Sequence, residues 1–307
     1  MTQSDKQHTG LVVASFGNRG RLDPGDGTAE RFVLKGRRLR AVCGDRVDWQ
    51  AQEQGNELLV TAIHERDNAL ERPDSRGRTE LVAANLSRLI IVLAPEPEPD
   101  FFIADRYLCA AEMMAIDTLI VWNKIDLKAP VPDEITNYQS LGYTLLETSI
   151  NTTGGLPEFA AALAAGISML VGQSGVGKSS LINQLVPDTN AATSELSSVS
   201  REGKHTTTAS IMHTLPSGGR LIDSPGVREF APVIRDPARV EMGFREIVER
   251  ATECRFSNCQ HLREPSCAIK AAVESGAITA RRYESYKRLR SSAEALATLD
   301  PGGSAQG

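Results

Sequence analysis

No run of apolar residues in this 307-residue chain approaches the roughly 18 that a membrane-spanning helix needs. The first ten residues, MTQSDKQHTG, contain no apolar signal core, so a cytoplasmic protein with no membrane partner is expected. Cysteine is sparse and odd in number, at Cys43, Cys109, Cys254, Cys259 and Cys267. That argues against a disulfide framework. There is no overall excess of positive charge either: 34 Lys and Arg face 39 Asp and Glu, for a net charge of −5. Any contact with a nucleic acid must therefore be made by a local patch. The length has room for about two or three domains, and a hydrophobic content of 41% supports packed cores.

One stretch organises the rest. GQSGVGKSS, Gly172 to Ser180, fits the phosphate-loop pattern G-x-x-x-x-G-K-[ST], with an apolar strand-like run before it and helical spacing after it. Glycines let backbone N–H groups turn towards phosphate oxygens, and the following helix N-terminus favours an anion. Gly172, Gln173, Ser174, Gly175, Val176, Gly177, Lys178, Ser179 and Ser180 are the predicted nucleotide-binding residues of this loop. Lys178 reaches the outer phosphates and is a catalytic candidate, and the Ser179 hydroxyl is a candidate Mg²⁺ ligand.

Four other stretches point to the base and the γ-phosphate. NKID, at Asn123, Lys124 and Asp126, follows an apolar strand-like run. The Asp126 carboxylate offers only acceptors, which match the N1–H and 2-amino donors of guanine and reject adenine. TSIN follows another strand-like run, and Ser149 and Ile150 would bring a backbone N–H to the base. GKHTTT offers Thr207 to Mg²⁺ and the γ-phosphate, and DSPG offers Asp223 and Gly226. In most GTPases the phosphate loop comes first; here NKID and TSIN precede it, which predicts a circularly permuted domain. Many GTPases place a glutamine after the DxxG glycine to orient the attacking water. Here that residue is Val227, so slow turnover alone is expected. His205, beside the threonines, is the candidate substitute, either holding the water or pointing into solvent.

The chain divides into three parts and a tail. Residues 1–75 read as short strands separated by Gly, Asp and Asn turns, the pattern of a small barrel such as an OB-fold. Arg31, Lys35, Arg37, Arg38, Arg40 and Arg46 cluster there against Asp45 alone. That cluster suits a nucleic-acid backbone or an ordinary charged edge strand. Residues 76–232 alternate strands and helices, as a parallel α/β sheet does, and Pro187 to Lys204 reads as a mobile loop that orders on Mg²⁺ and GTP. Residues 233–299 read as helices with a basic end (Arg281, Arg282, Lys287, Arg288 and Arg290), and residues 300–307 as a disordered tail. Within the helical part, Cys254, Cys259, His261 and Cys267 form a Cys₃His set suited to one structural Zn²⁺. So small a unit gains from metal closure; reduced core cysteines are the alternative.

GQSGVGKSSLIN, the preceding NKIDL, the following GKHTTT and DSPG, and the C-x₄-C-x-H-x₅-C set together resemble the ribosome-small-subunit-dependent GTPases called RsgA, over nearly the whole length. The resemblance implies an N-terminal OB-fold, a circularly permuted P-loop GTPase domain and a helical zinc-binding domain. It implies GTP hydrolysis during late maturation of the small ribosomal subunit, with the outer domains gripping rRNA. A monomer is expected. TSIN is a mild departure, with Ile150 presenting its backbone N–H to the base. Two other readings stay open at this point. One is a GTP-regulated signalling or scaffold switch without ribosome dependence. The other is an RNA-binding module whose nucleotide site only stabilises the fold.

Overall fold

Five short strands close into a barrel at the N-terminal end of the computed structural model, which describes residues 8–52, 56–73, 79–152, 155–186, 210–224 and 233–299. They are β1 (His8–Phe16), β2 (Arg19–Asp23), β3 (Glu30–Leu34), β4 (Arg46–Ala51) and β5 (Leu58–Ile63). Their order is β1-β2-β3-β5-β4, and β4 pairs back onto β1. Alternation turns Val12, Leu22, Phe32, Leu34, Val47, Leu58 and Val60 into one small core. The segment Arg38 to Gln50, which mixes apolar and charged residues, is not one continuous strand. Gly44 adopts φ +96°, and the Asp45 carboxylate accepts the Val42 N–H at 2.8 Å, so a turn replaces the first half of the ladder. Gly17 at φ +75° turns β1 into β2 as a hairpin.

A two-stranded ribbon, β6 (Ala69–Pro73) and β7 (Thr79–Ala84), leads out of the barrel. The α/β sheet follows: β8 (Arg88–Leu93), β9 (Asp117–Asn123), β10 (Thr144–Thr148), β11 (Ile167–Val171), β12 (Ile211–Thr214) and β13 (Arg220–Asp223). Its order is β10-β9-β8-β11-β13-β12, parallel except that β12 runs against β13. The near-continuous apolar character of β8 has a simple cause. Leu89, Ile91 and Leu93 enter the core on one face, and Ile90 and Val92 enter the core on the other. Helices α1 (Phe101–Met113), α2 (Asp133–Ser140), α3 (Leu156–Ala162) and α4 (Lys178–Leu185) flank the sheet. The first is capped by Asp100, whose side chain accepts the N–H groups of Phe102 and Ile103. The short polar helix α2 buries only Ile135 and Tyr138, too little to show as an apolar stripe in the sequence.

The sheet and the barrel are one hydrogen-bonded surface. His8 to Leu11 of β1 pair with β4, while Ala14 of the same edge pairs with Ile211 of β12. At the other end, a 3-10 segment (Pro237–Gly243) and helices α5 (Arg245–Ala251), α6 (Ala268–Glu274) and α7 (Ala280–Leu299) build a further core. Cys109 of α1 belongs to that core, with Phe102 and Met113 packed against it. Among the described residues no helix is long and apolar enough to cross a membrane.

Candidate active site and metal centre

The phosphate loop leaves the carboxyl end of β11, the strand between β8 and β13. Two of its glycines are required by space. A Cβ on Gly172 would lie 2.3 Å from the Val92 carbonyl oxygen, and one on Gly177 would lie 2.4 Å from Asn123 Nδ2, both at positive φ. Ser174 and Gly175 are exposed at the loop tip, while Val176 is buried and anchors it. The Lys178 ammonium lies over the loop and donates to the carbonyls of Gly172 (2.7 Å) and Gln173 (2.5 Å). Ser179 and Ser180 open α4 directly behind. The Gln173 side chain accepts the backbone N–H of Asp100 at 3.1 Å, which ties the loop to the cap of α1.

NKID leaves the end of β9 and reaches the same place. Asn123 is buried; its amide donates to the Val176 carbonyl at 2.9 Å and accepts the Thr148 hydroxyl at 3.0 Å. Lys124 adopts φ +63° and donates to the carbonyls of Glu96 and Gly175, each at 2.7 Å. These bonds hold the base-side and phosphate-side loops in one register. Asp126 meets TSIN from the end of β10. The buried Ser149 hydroxyl donates to Asp126 Oδ1 at 2.5 Å, and the Asn151 amide donates to Oδ2 at 2.9 Å. These bonds, Ser149 first and then Asn151, hold the Asp126 carboxyl below the usual carboxylate range. Ile150 is exposed beside them.

Asp223 ends β13, next to the phosphate-loop strand. The structure thus brings NKID, TSIN, the phosphate loop and Asp223 to the carboxyl ends of β9, β10, β11 and β13 in one run of parallel strands, where ligands of open α/β sheets bind. His205, Thr207, Gly226, Val227 and the Pro187 to Lys204 loop lie outside the described residues. The sequence reading missed three contributors: Asn151 on the Asp126 carboxylate, Thr148 on Asn123, and the Gln173 side chain on α1. All three depend on partners distant in sequence: 25 residues for Asn151 and for Thr148, and 73 for Gln173.

In the C-terminal unit the ligand atoms of Cys254, Cys259, His261 and Cys267 lie within 4.8 Å of one another. Cys254 Sγ and Cys267 Sγ are 3.9 Å apart, and each lies 3.5 Å from His261 Nδ1. Such a cluster could hold a metal ion. Its supports are in place as well. His261 Nε2 faces Glu241 Oε2 at 3.3 Å, the arrangement that fixes a ligating imidazole. Tyr283 and Tyr286 donate to the carbonyls of His261 and Gln260 at 2.5 and 2.8 Å. The Glu264 carboxylate accepts the N–H groups of Gln260, Leu262 and Arg263, and these bonds hold its carboxyl down at about 2. Burial pushes the Cys259 thiol up to about 12, with help from the Cys267 and Cys254 sulfurs; a bound cation reverses that balance.

The six basic residues of the barrel, Arg31, Lys35, Arg37, Arg38, Arg40 and Arg46, are all exposed, whereas Asp45 is buried and held by Arg66 at 2.7 Å. Arg46 of the patch pairs with Asp67 at 3.0 Å. The basic end of α7 behaves differently. Arg282 and Arg290 are buried, and Arg281 is paired with Asp105.

A family model described as RsgA GTPase matches residues 63–232. The chain belongs to the RsgA GTPase family. The Small ribosomal subunit biogenesis GTPase RsgA of Pseudomonas aeruginosa (strain LESB58) is 43% identical over 93% of this chain and 86% of its own. The protein of that name from Azotobacter vinelandii is 42% identical over the same shares. The crystal structure of YjeQ from Thermotoga maritima superposes with a TM-score of 0.71 at 29% identity, covering 94% of this chain and 99% of its own. YloQ, described as a circularly permuted GTPase, shares the fold at a TM-score of 0.69 and 23% identity, over 96% of this chain and 98% of its own. The permutation is visible here directly, since β11 is central in the sheet but fourth of its six strands in the chain. None of these likenesses favours a signalling or scaffold switch.

Proposed function

We propose that this chain hydrolyses GTP to GDP and phosphate during late maturation of the small ribosomal subunit, binds its rRNA, and turns over faster on the subunit. The observation that carries this reading is the convergence of a guanine-type reader and a phosphate loop in a member of a family whose relatives are named for small-subunit biogenesis. In this reading residues 1–75 bind RNA through the basic barrel face, residues 76–232 are the GTPase domain, and residues 233–299 are the metal-bound helical domain.

The residues divide the work. Asp126, supported by Ser149, accepts the donors of guanine, while Asn123 and Lys124 hold the base loop to the phosphate loop. The Ile150 N–H faces the base. The backbone of residues 172–177 and the side chains of Lys178, Ser179 and Ser180 take the phosphates. Ser179 and Thr207 are the Mg²⁺ ligands, with Asp223 nearby and Gly226 beside the γ-phosphate. Bound Mg²⁺ supplies neutralisation of charge on the phosphate oxygens. His205 holds the attacking water in place of the glutamine that Val227 replaces. The metal of Cys254, Cys259, His261 and Cys267 is Zn²⁺. Tetrahedral bonds of the usual zinc–sulfur length put sulfurs roughly 3.8 Å apart, against 3.9 Å between Cys254 and Cys267. The protein acts in the cytoplasm as a monomer.

GTP turnover with and without purified small subunits is the test. Strong stimulation that fades as salt rises is expected, because binding to phosphates is driven by release of their counterions, and added salt reduces that gain. Turnover indifferent to subunits would remove the coupling. His205→Ala should keep GTP and subunit binding and lose most of the stimulated rate; full stimulated turnover would sink the role given to His205.

A further inference from the structure

We propose that Asn151 is a positioning residue for guanine recognition, clamping the Asp126 carboxylate in the plane that the base requires. The inference rests on the reading that Asp126 accepts the donors of guanine. Three bonds carry it. The Asn151 backbone N–H donates to Ser149 Oγ at 3.0 Å. The Ser149 hydroxyl donates to Asp126 Oδ1 at 2.5 Å, and the Asn151 side-chain amide donates to Asp126 Oδ2 at 2.9 Å. Together they form a closed ring of Asn151, Ser149 and Asp126, and Asn151 supplies two of its three bonds.

The chemistry of each group fixes what the ring does. A hydroxyl that accepts one N–H is left to donate its own proton elsewhere, so the Asn151 backbone steers the Ser149 proton onto Asp126. The last torsion of an aspartate is broad and roughly two-fold, and a single bond to one oxygen leaves the carboxylate plane free to turn. The second bond, from the Asn151 amide to the other oxygen, stops that rotation. Each oxygen then keeps a lone-pair site, giving two acceptors side by side for the N1–H and an exocyclic N–H of guanine. Asn151 is exposed, in the turn after β10, and among the described residues its side chain makes no other hydrogen bond. Packing does not account for its position. The same two donors favour the ionised carboxylate, the form the base needs.

Equilibrium binding of GDP to the full chain tests the clamp. Asn151→Ala should raise the Kd for GDP about five- to tenfold, the worth of one hydrogen bond to a charged group at an exposed position. It should also move the acid limb of GDP binding to higher pH. Asn151→Asp keeps the backbone N–H and the shape but sets a second carboxylate against Asp126. It should cost more than the alanine change and recover in part as the pH is lowered towards about 5, where one carboxyl of the pair takes a proton. Binding at the wild-type level in both variants overturns the proposal. So do equal losses in the two that do not vary with pH, which would indicate only a damaged turn. Asp126→Asn separates this inference from the reading beneath it. If that variant keeps wild-type GDP affinity, both fail. If it loses GDP and gains xanthosine diphosphate while the Asn151 variants bind normally, only the clamp fails.

Discussion

The barrel is joined to the GTPase sheet chiefly by backbone, and the C-terminal helices are joined to it chiefly by side chains. On the barrel side, Ala14 pairs with Ile211 and the Ala84 N–H donates to the Cys43 carbonyl at 3.0 Å, with one side chain, the Asn85 amide, donating to the Gly44 carbonyl at 2.8 Å. On the helical side, Asp105 of α1 is fully buried and takes Arg281 and Arg282 at 2.5 and 2.6 Å, with Tyr138 at 2.7 Å. Arg282 returns to Glu246 at 2.7 Å and lies 4.5 Å from the Phe244 ring centroid. A backbone joint depends on small residues that let chains approach. A buried ionic joint depends on every partner being present, because a lone buried charge costs far more than the pair contributes. The first tolerates most side-chain changes and the second tolerates few.

The largest expected break is on the helical side. Cys259→Ala, or chelation, should release the metal and unfold residues 233–299, since metal binding in so small a unit is folding free energy. Metal analysis, helical circular dichroism and limited proteolysis would record it, with GDP binding retained by the rest; a metal-free chain with these helices intact would contradict the prediction. Next comes Asp105→Ala. It takes the carboxylate from Arg281, leaves the buried Arg282 with Glu246 alone, and should cost about 3–5 kcal/mol in denaturant unfolding. A loss under 1 kcal/mol would show that water reaches the arginines there.

Two smaller changes probe the barrel side. Gly44 sits at φ +96°, and a Cβ there would meet the Ala84 carbonyl oxygen at 2.0 Å. Gly44→Ala should therefore cost about 2–3 kcal/mol through strain and displacement and raise amide exchange at Cys43 and Ala84. Unchanged exchange would mean that the two chains slide apart without loss. Smallest is Arg220→Ala, which removes the pair with the buried Asp23 at 2.9 Å. Because Arg220 is partly open to solvent, a cost of about 1 kcal/mol is expected in the same unfolding measurement. A cost comparable to that of Asp105→Ala would erase the distinction between the joints.

Much of the fold and of the site was legible in the chain. The strand β8 announced itself as apolar on both faces, and GQSGVGKSS and NKID carried their chemistry in residue type and spacing. Asp126 and the Cys₃His set stand out in the sequence the same way, since a carboxylate's acceptors and a thiolate's softness are properties of single residues. The helix α2 and the strand β2 were not legible. One buries two residues, and the other depends on the backbone that Gly17 adopts.

Local pattern decided which segments become strands and helices, and which residues carry donors, acceptors and metal-binding atoms. Periodicity records how a segment distributes its apolar faces, and that information is complete within about ten residues. It does not record what each face meets. The basic end of α7 reads as one patch in the chain, yet Arg282 and Arg290 are buried and Arg281 holds Asp105, 176 residues away. Asn151 sits 25 residues from the carboxylate it clamps. Partners so far apart in sequence are chosen by the packing of strands and helices between them, so only the folded chain could pair them.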